Sequence, residues 1–173
     1  RRIFPPCSFF DRPWMIACMA KLEEADTTER MISSMSSLFR YNLKTSEQIV
    51  PLAQELKVVK DYMYIQQMRF GSRIAYDCQL EVDEEETIIP AFTLQPIVEN
   101  AIIHGLSKKE QGGKILLRVW KKEDKVIISV ADTGVGMSQE RLMELRTALN
   151  AGGTARVGIG LGNICHRIHA MYR

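Results

Sequence analysis

The chain has 173 residues, of which 46% are hydrophobic and 25% charged, as in an ordinary soluble globular protein of one or two small domains. Its formal net charge of +2 is too small to predict binding to nucleic acid or to an anionic membrane. Its four cysteines are scattered without a C-x-x-C pair, which argues against a zinc site or a disulfide framework, and no apolar run approaches the roughly 20 residues needed to span a bilayer.

The first third of the chain is predicted to be helical after an irregular, proline-bearing start. A first helix is predicted from Trp14 to Glu24, and a second begins at Asp26, a residue type that caps helices, and ends near Tyr41. The apolar residues of the second helix recur at intervals of three and four, on one face: Met31, Ile32, Met35, Leu38 and Phe39. Such a methionine-bearing stripe indicates packing in a core or against a partner helix.

A third helix is predicted from Pro51, in its first turn, to Phe70, where Gly71 ends it. The second and third helices are able to fold back on one another as a hairpin. Their apolar stripes are too broad for one hairpin to bury, so we expect dimerisation into a helical bundle.

The sequence pattern changes after Gly71. Ile74–Val82 alternates weakly, as an edge or half-buried strand does, and an acidic turn follows it. A mostly apolar helix is predicted from Pro90 to Leu106. Lys114–Trp120 and Lys125–Ala131 are predicted to be the two strands of a hairpin.

The last part of the chain is predicted to hold two helices separated by a flexible, glycine-bearing stretch. Ser138 is placed to cap a short helix, Asn150–Arg156 forms the flexible stretch, and a final helix runs from Leu161 to Tyr172. The residues after Gly71 therefore predict an α+β fold, with an antiparallel-leaning sheet covered by helices on one side.

Two segments carry side chains suited to a nucleotide. Residues 94–105 place Asn100 and His104 one turn apart on a helix face, and an amide oxygen suits Mg²⁺ on a nucleotide. The alternative for Asn100 is a local cap or bridge. Residues 132–137 follow a strand, and the carboxylate of Asp132 is able to accept the amino hydrogen of adenine while the glycines allow a close approach. The alternative there is an ordinary strand-ending turn.

A third segment, residues 157–163, places glycines directly before a helix, where N–H groups and the helix dipole favour an anion. A lone G-x-G-x-G is weak support for a phosphate site. A Rossmann arrangement is excluded, because no parallel strand–helix unit or ribose-binding acid surrounds the glycines. Each segment alone is better explained as structural, and it is their combination that points to a nucleotide site.

In this order and spacing the three segments resemble the N, G1 and G2 boxes of the ATPase family shared by histidine kinases, gyrase B, Hsp90 and MutL. The resemblance implies a Bergerat-type α/β sandwich with a mobile lid over about residues 138–157, for which Gly152-Gly153 fits a hinge. A closer resemblance, to the LytS/YesM-type sensor histidine kinases, covers most of the chain and is carried by residues 38–41, 62–70 and 94–100.

That resemblance implies a helical dimerisation and histidine-phosphotransfer segment over residues 1–71. It implies an ATP-binding catalytic domain over residues 72–173. Members of the family continue past the last helix with two further strands, so we expect the sheet of this chain to lack its last strands and to have an open edge.

The resemblance also assigns roles to single residues. Asn100 would be the Mg²⁺ ligand and Asp132 the adenine contact, with Met137 against the adenine pocket. His104 would line the pocket, although a neutral histidine packed in the helix fits nearly as well. The remaining assignments are glycines that shape the adenine pocket and residues that hold the phosphates: Gly134 and Gly136 for the former, and Gly158, Gly160, Leu161 and Gly162 for the latter.

Two positions indicate whether the γ-phosphate is hydrolysed or transferred to an acceptor. The hydrolytic relatives place a water-activating glutamate four residues before the asparagine, where this chain has Pro96, which is unable to act as a base. Glu99 points about 100° away from Asn100 on the helix. We therefore expect weak hydrolysis of free ATP, whereas transfer to a positioned acceptor depends mostly on positioning and charge neutralisation.

The phosphate acceptor of the family is a histidine in an N-P-H-F motif. In this chain Pro6 aligns with the motif's proline and Cys7 falls at the histidine, and no histidine precedes His104. No catalytic residue is therefore identified, and the acceptor position is predicted to be Cys7.

The resemblance predicts an ATP- and Mg²⁺-dependent homodimeric kinase that autophosphorylates a histidine and relays the phosphate to a response regulator of a two-component system. The alternative is a catalytically impaired, dimeric ATP-binding signalling module, since the acceptor histidine is absent. We expect no nucleic-acid partner and a cytoplasmic location. Membrane attachment is expected only through segments outside this chain, as part of a bacterial inner-membrane sensor.

Overall fold

The computed structural model describes residues 11–44, 49–150 and 159–172. Three helices come first: α1 (Asp11–Leu22), α2 (Asp26–Lys44) and α3 (Leu52–Phe70). They confirm the three helices predicted for this part of the chain. Helix α1 packs against α2, and α2 packs against α3. Helix α3 ends at Gly71, whose φ of 62° is open to glycine without steric cost.

Two short strands were not predicted. Strand β1 (Ile49–Pro51) pairs antiparallel with β3 (Ile88–Pro90), which lies where the sequence predicted the start of a helix. The helix in this region, α4 (Leu94–Asn100), begins only at Leu94. The prediction of helix from Pro90 was wrong because a pairing with residues far away in the chain holds this backbone extended, and a local pattern does not contain that contact.

The main sheet has three strands in the order β2 (Ile74–Leu80), β4 (Gly113–Lys122) and β5 (Lys125–Asp132). Strands β4 and β5 form the predicted antiparallel hairpin, and Glu123 in its turn has a φ of 55°. Strand β2 lies at the edge, as predicted, but it runs parallel to β4. The sheet is therefore mixed.

Helices α3 and α4 cover one face of this sheet. The core consists of fully buried aliphatic side chains from α3, α4, the π-helical turn that follows α4, and β4. The largest of them are Leu52, Leu56, Val59, Leu94, Val98, Ile102, Leu106, Ile115, Leu117 and Val119. Burial of each such side chain contributes about 1.5–3 kcal/mol. The alternation of buried and exposed residues along β4 confirms that helices cover one side only.

The remaining helical elements are a π-helical turn that contacts β5 and two helices that follow β5 in the chain. Helix α4 (Leu94–Asn100) continues directly into a π-helical turn, Ala101–Leu106. Helix α5 (Gln139–Asn150) is capped by Ser138, whose hydroxyl oxygen accepts a hydrogen bond from the Arg141 amide at 3.2 Å, as predicted. Helix α6 (Ile159–Met171) packs against α4 and β3. Within the three described ranges, none of the helices has the length and apolar character needed to cross a membrane.

Candidate nucleotide-binding site

The end of β5 lies directly against the π-helical turn that follows α4. Asp132 is the last residue of β5, and its Oδ1 accepts a hydrogen bond from the Gly134 amide at 2.8 Å. The Val135 amide donates to the Gly105 carbonyl at 3.2 Å. A Cβ on Gly105 would lie 2.6 Å from Oδ1 of Asp132, so only glycine at this position leaves room for the carboxylate.

The segment after β5 contains two glycines, Gly134 and Gly136, and a side chain is excluded for a different reason at each position. A Cβ on Gly134 would lie 2.5 Å from the Gly105 Cα, so here two stretches of backbone touch. Gly136 has a φ of 67° with open space around it, so its requirement is conformational. Gly134 thus lies against the helix of the first segment, whereas the approach of these glycines to adenine stays a prediction.

Three hydrogen bonds fix Thr133, and with it the backbone next to Asp132. The Thr133 amide donates to the Lys114 carbonyl at 3.1 Å, and its Oγ1 accepts from the Lys114 amide at 2.9 Å. Lys109 Nζ donates to the Thr133 carbonyl at 2.8 Å. The Asp132 side chain is nevertheless exposed to solvent. Among the residues that the structure describes, its Oδ2 accepts no hydrogen bond, which leaves one oxygen for a ligand.

The first segment places its polar residues along the same helix. Asn100 is the last residue of α4 and is half-buried, whereas His104 lies in the π-helical turn and is exposed. Glu99 Oε1 accepts a hydrogen bond from Gln95 Nε2 at 2.7 Å. A π-helical turn in an otherwise α-helical element is often found at functional sites, and here it carries Gly105 to the end of β5.

The third segment is only partly described. Helix α6 is present as predicted but begins at Ile159, two residues early, so Gly160, Leu161 and Gly162 lie in its first turn and not before it. Leu161 lines an apolar groove of about 390 Å³ whose other walls come from Leu149, Ile164, Cys165, Ile168 and His169. Met137, in the segment after β5, is 58% exposed. Gly158 and Cys7 lie outside the described residues.

Gly105 and Lys109 are site residues that the sequence did not single out. A glycine inside an apolar helix lowers its stability and therefore indicates a close approach, which was the available clue for Gly105. Lys109 offered no such clue, because its carbonyl partner lies in another segment of the chain.

Comparison with known proteins identifies the class of this fold and then its family. Residues 90–172 match the family model described as histidine kinase-, DNA gyrase B-, and HSP90-like ATPase, which makes this part an ATP-binding domain. Residues 14–74 match the model described as histidine kinase. The chain belongs to the sensor histidine kinase family of two-component systems, as the resemblance predicted.

Similar curated proteins carry sensor names. Sensor histidine kinase YpdA of Escherichia coli (strain K12) is 36% identical over 151 residues, which are 85% of this chain and 25% of that protein. Sensor protein LytS of Bacillus cereus is 31% identical, covering 90% and 26% of the two chains. Sensor histidine kinase YesM of Bacillus subtilis (strain 168) is 33% identical, covering 87% and 24%. The chain thus spans about a quarter of the length of these relatives.

Proposed function

We propose that this chain is the kinase core of a two-component sensor and that it binds Mg·ATP between the end of β5, the π-helical turn and the first turn of α6. The observation that carries the proposal is the Asp132 carboxylate. It is exposed, yet Gly105 and the Gly134 amide hold it in place. A fixed carboxylate with one oxygen available suits the exocyclic amino group of adenine, because a hydrogen bond to a charged acceptor is roughly twice as strong as a neutral one.

The other residues of the site take roles that follow from their positions. Gly134 and Gly136 shape the adenine pocket, with Met137 and His104 at its border. The backbone N–H groups of Gly160, Leu161 and Gly162 are in the first turn of α6, where the helix dipole favours phosphate, and Gly158 precedes them.

Mg²⁺ fits this site as a partner of the nucleotide. Within the described residues no three histidine, cysteine or acidic side chains come together in a way that would hold a metal ion by themselves. Mg²⁺ in nucleotide sites uses one or two protein ligands and the phosphate oxygens. Asn100, half-buried at the end of α4, would supply the amide oxygen, and the bound ion would neutralise charge on the phosphates.

Phosphoryl transfer is favoured over hydrolysis. Pro96 occupies the position at which hydrolytic relatives carry a water-activating glutamate. Glu99, the nearest carboxylate in sequence, accepts a hydrogen bond from Gln95. The reaction that remains is transfer to a positioned side chain, which requires alignment and charge neutralisation more than a general base.

Dimerisation through the N-terminal helices is supported by their surface. Helices α1 and α2 pack against each other, but large apolar side chains on them remain 43–86% exposed: Met15, Ile16, Met19, Leu22, Met35, Phe39 and Leu43. A second copy that packs against this surface would bury it, as in a helical bundle.

Whether the chain has a residue that accepts phosphate decides between an active kinase and an impaired one. In the first, the dimer phosphorylates a histidine and relays the phosphate to a response regulator. In the second, the chain is a catalytically impaired ATP-binding signalling module. The second is favoured by one observation, which is that Cys7 occupies the aligned acceptor position and no histidine precedes His104.

Calorimetric titration with Mg·ATP tests the proposal. We expect the wild-type chain to bind and Asp132→Asn to bind at least about tenfold more weakly, because the charged acceptor contributes about 1.5 kcal/mol or more. Asp124→Asn, in the exposed turn between β4 and β5, is the matched control and should leave the affinity unchanged. Equal affinities for both variants would rule out the adenine role of Asp132.

Incubation of the same samples with γ-³²P-ATP separates the two forms. Binding without protein label supports the impaired module. Stable incorporation of label would show that an acceptor is present in this chain and would refute the impaired form.

A further inference from the structure

A buried carboxylate on α3 caps the start of α4. Glu55 has no exposed surface, and it accepts hydrogen bonds from the amides of Phe92 at 2.7 Å, Thr93 at 2.9 Å and Leu94 at 2.8 Å. Thr93, the residue before α4, does not cap the helix, because its hydroxyl donates to the Pro90 carbonyl. Glu55 therefore satisfies N–H groups that the helix start would leave unpaired, and its charge interacts favourably with the helix dipole.

Helix α2 contacts the same carboxylate. The buried Tyr41 hydroxyl donates a hydrogen bond to Glu55 Oε1. Burial raises the pKa of Tyr41, and the hydrogen bond to Glu55 and its negative charge raise it further, so the hydroxyl keeps its proton and remains a donor. The Tyr41 ring also packs on Phe92, with 4.9 Å between the ring centroids. Tyr41 thus touches both the capping residue and the loop that is capped.

Phe92 connects these helices to α6. Arg167 of α6 donates through Nη2 to the Phe92 carbonyl at 2.7 Å, and its guanidinium lies 5.8 Å from the centre of the Phe92 ring. Phe92 has a φ of 59°, a conformation that a bulky residue keeps only where its surroundings hold it. Those surroundings are Tyr41, Glu55 and Arg167, which with Phe92 we call the Phe92 junction.

We propose that the Phe92 junction couples helix α2 to the nucleotide site, with Tyr41 and Glu55 as positioning residues. Two elements of the site are attached to it. Phe92 lies two residues before the start of α4, which carries Asn100, and its carbonyl accepts a hydrogen bond from α6, whose first turn is proposed to bind phosphate. The part of this inference that concerns nucleotide rests on the proposed function.

The coupling has a physical direction. A movement of α2 that withdraws the Tyr41 hydroxyl removes one donor from Glu55 and the ring that packs on Phe92. The loop of residues 92–94 then loses part of what holds it, and the start of α4 and the Arg167 contact relax with it. Because coupling between two sites is reciprocal, binding at the nucleotide site must in turn stabilise α2.

Hydrogen exchange of the full chain, followed amide by amide, tests the junction without any nucleotide. Tyr41→Phe removes the hydroxyl and keeps the ring. We expect it to speed exchange about 2- to 10-fold at residues 92–94 and along α4 and α6, since one hydrogen bond to the cap is lost. Tyr64→Phe is the matched control: it removes a hydroxyl from a half-buried tyrosine that already joins α3 to Arg30 of α2 through its ring. An effect of Tyr41→Phe confined to α2 and α3 would overturn the coupling.

A second comparison adds Mg·ATP. In the wild-type chain and in Tyr64→Phe, we expect bound nucleotide to slow exchange at the end of α2, and we expect Tyr41→Phe to lose that response while still binding. Binding with the same α2 response in all three chains would refute the junction. If none of them binds Mg·ATP, the proposed function fails, and the nucleotide-free comparison alone decides whether Tyr41 acts on α4 and α6.

Discussion

Substitution of Gly105 by alanine should separate the nucleotide site from the stability of the fold. The added Cβ would lie 2.6 Å from Oδ1 of Asp132, whereas ordinary contacts begin near 3.4 Å, so the carboxylate must retreat by about 0.8 Å. The atom in conflict is the end of a side chain, which is able to move. The expected damage is therefore to the position of the carboxylate and not to the packing of the backbone.

The expected losses of nucleotide affinity and of stability differ in size. A displaced Asp132 loses its hydrogen bond to adenine, which contributes about 1.5–3 kcal/mol for a charged acceptor, so the affinity for Mg·ATP should fall by about 10- to 100-fold. The hydrogen bond from Gly134 is weakened too. Alanine in place of a helical glycine offsets that loss by about 0.5–1 kcal/mol, so the free energy of unfolding should change by less than about 1 kcal/mol.

Calorimetry with Mg·ATP and urea unfolding of the same samples measure the two quantities. Gly71→Ala is the control with the opposite pattern, because Gly71 ends α3 with a φ of 62° and no neighbour within 4 Å: it should lose about 1–3 kcal/mol of stability and keep its affinity. The double variant Gly105→Ala/Asp132→Asn should bind no more weakly than Asp132→Asn alone. Full affinity of Gly105→Ala, or additive losses in the double variant, would refute the reasoning.

Three further outcomes follow from the same contacts. Gly134→Ala places its Cβ 2.5 Å from the Gly105 Cα, where backbone must move, so urea unfolding should show a loss of about 1–3 kcal/mol, and unchanged stability would contradict the close approach. Glu55→Gln leaves three amides, two of them buried, without a charged acceptor and should cost about 3 kcal/mol or more by urea unfolding. The control Glu99→Gln changes a half-buried carboxylate that accepts one hydrogen bond and should cost less than about 1 kcal/mol. Folding raises the pKa of Tyr41 above its ordinary value of 10.0, so the folded state holds this proton more tightly, and the resulting stabilisation is complete below pH 10 and is lost as the pH rises above it. Urea unfolding at several alkaline pH values should therefore show that the free energy of unfolding falls less steeply with pH in Tyr41→Phe than in the wild-type chain. An identical fall in both chains would contradict this role of Tyr41.

The elements predicted correctly are those whose boundaries are set by local chemistry. Helix α3 lies between Pro51, which fits the entry to a helix, and Gly71, which ends it. Strands β4 and β5 are rich in apolar, largely β-branched residues on either side of a short polar turn. In these cases the residues that determine the structure are neighbours in the sequence.

The elements that were missed depend on distant partners. Strand β1 has three residues and ends in Pro51, and β3 has three residues and ends in Pro90, so neither shows a period. Their pairing joins parts of the chain on either side of α3 and β2. The strand direction of β2 could not be predicted either, because parallel pairing with β4 depends on the route of the chain between them.

The candidate site shows the same division. Asp132 and the glycines after it were found because the chemistry of a carboxylate followed by glycines lies within six consecutive residues. The tight fit of Asp132 between Gly105 and Gly134 could not be predicted, because it needs the π-helical turn to lie at the end of β5. The sequence supplied the residue types of the site, and the fold supplied the contacts that hold them.

A charged residue in the apolar face of α3 and an uncapped start of α4 are each destabilising alone, and the fold pairs them. Glu55 lies between Leu52 and Leu56 in the buried stripe of α3, where an unpaired carboxylate is costly. Helix α4 starts without a cap from its own side chains, and its first amides are buried. Each feature alone predicts instability, but together they predict a contact between the carboxylate and those amides, because each supplies the partner that the other lacks. A charged residue in an apolar stripe is therefore informative about distant structure, and here it indicates the residue that ties the helical segment to the helix of Asn100.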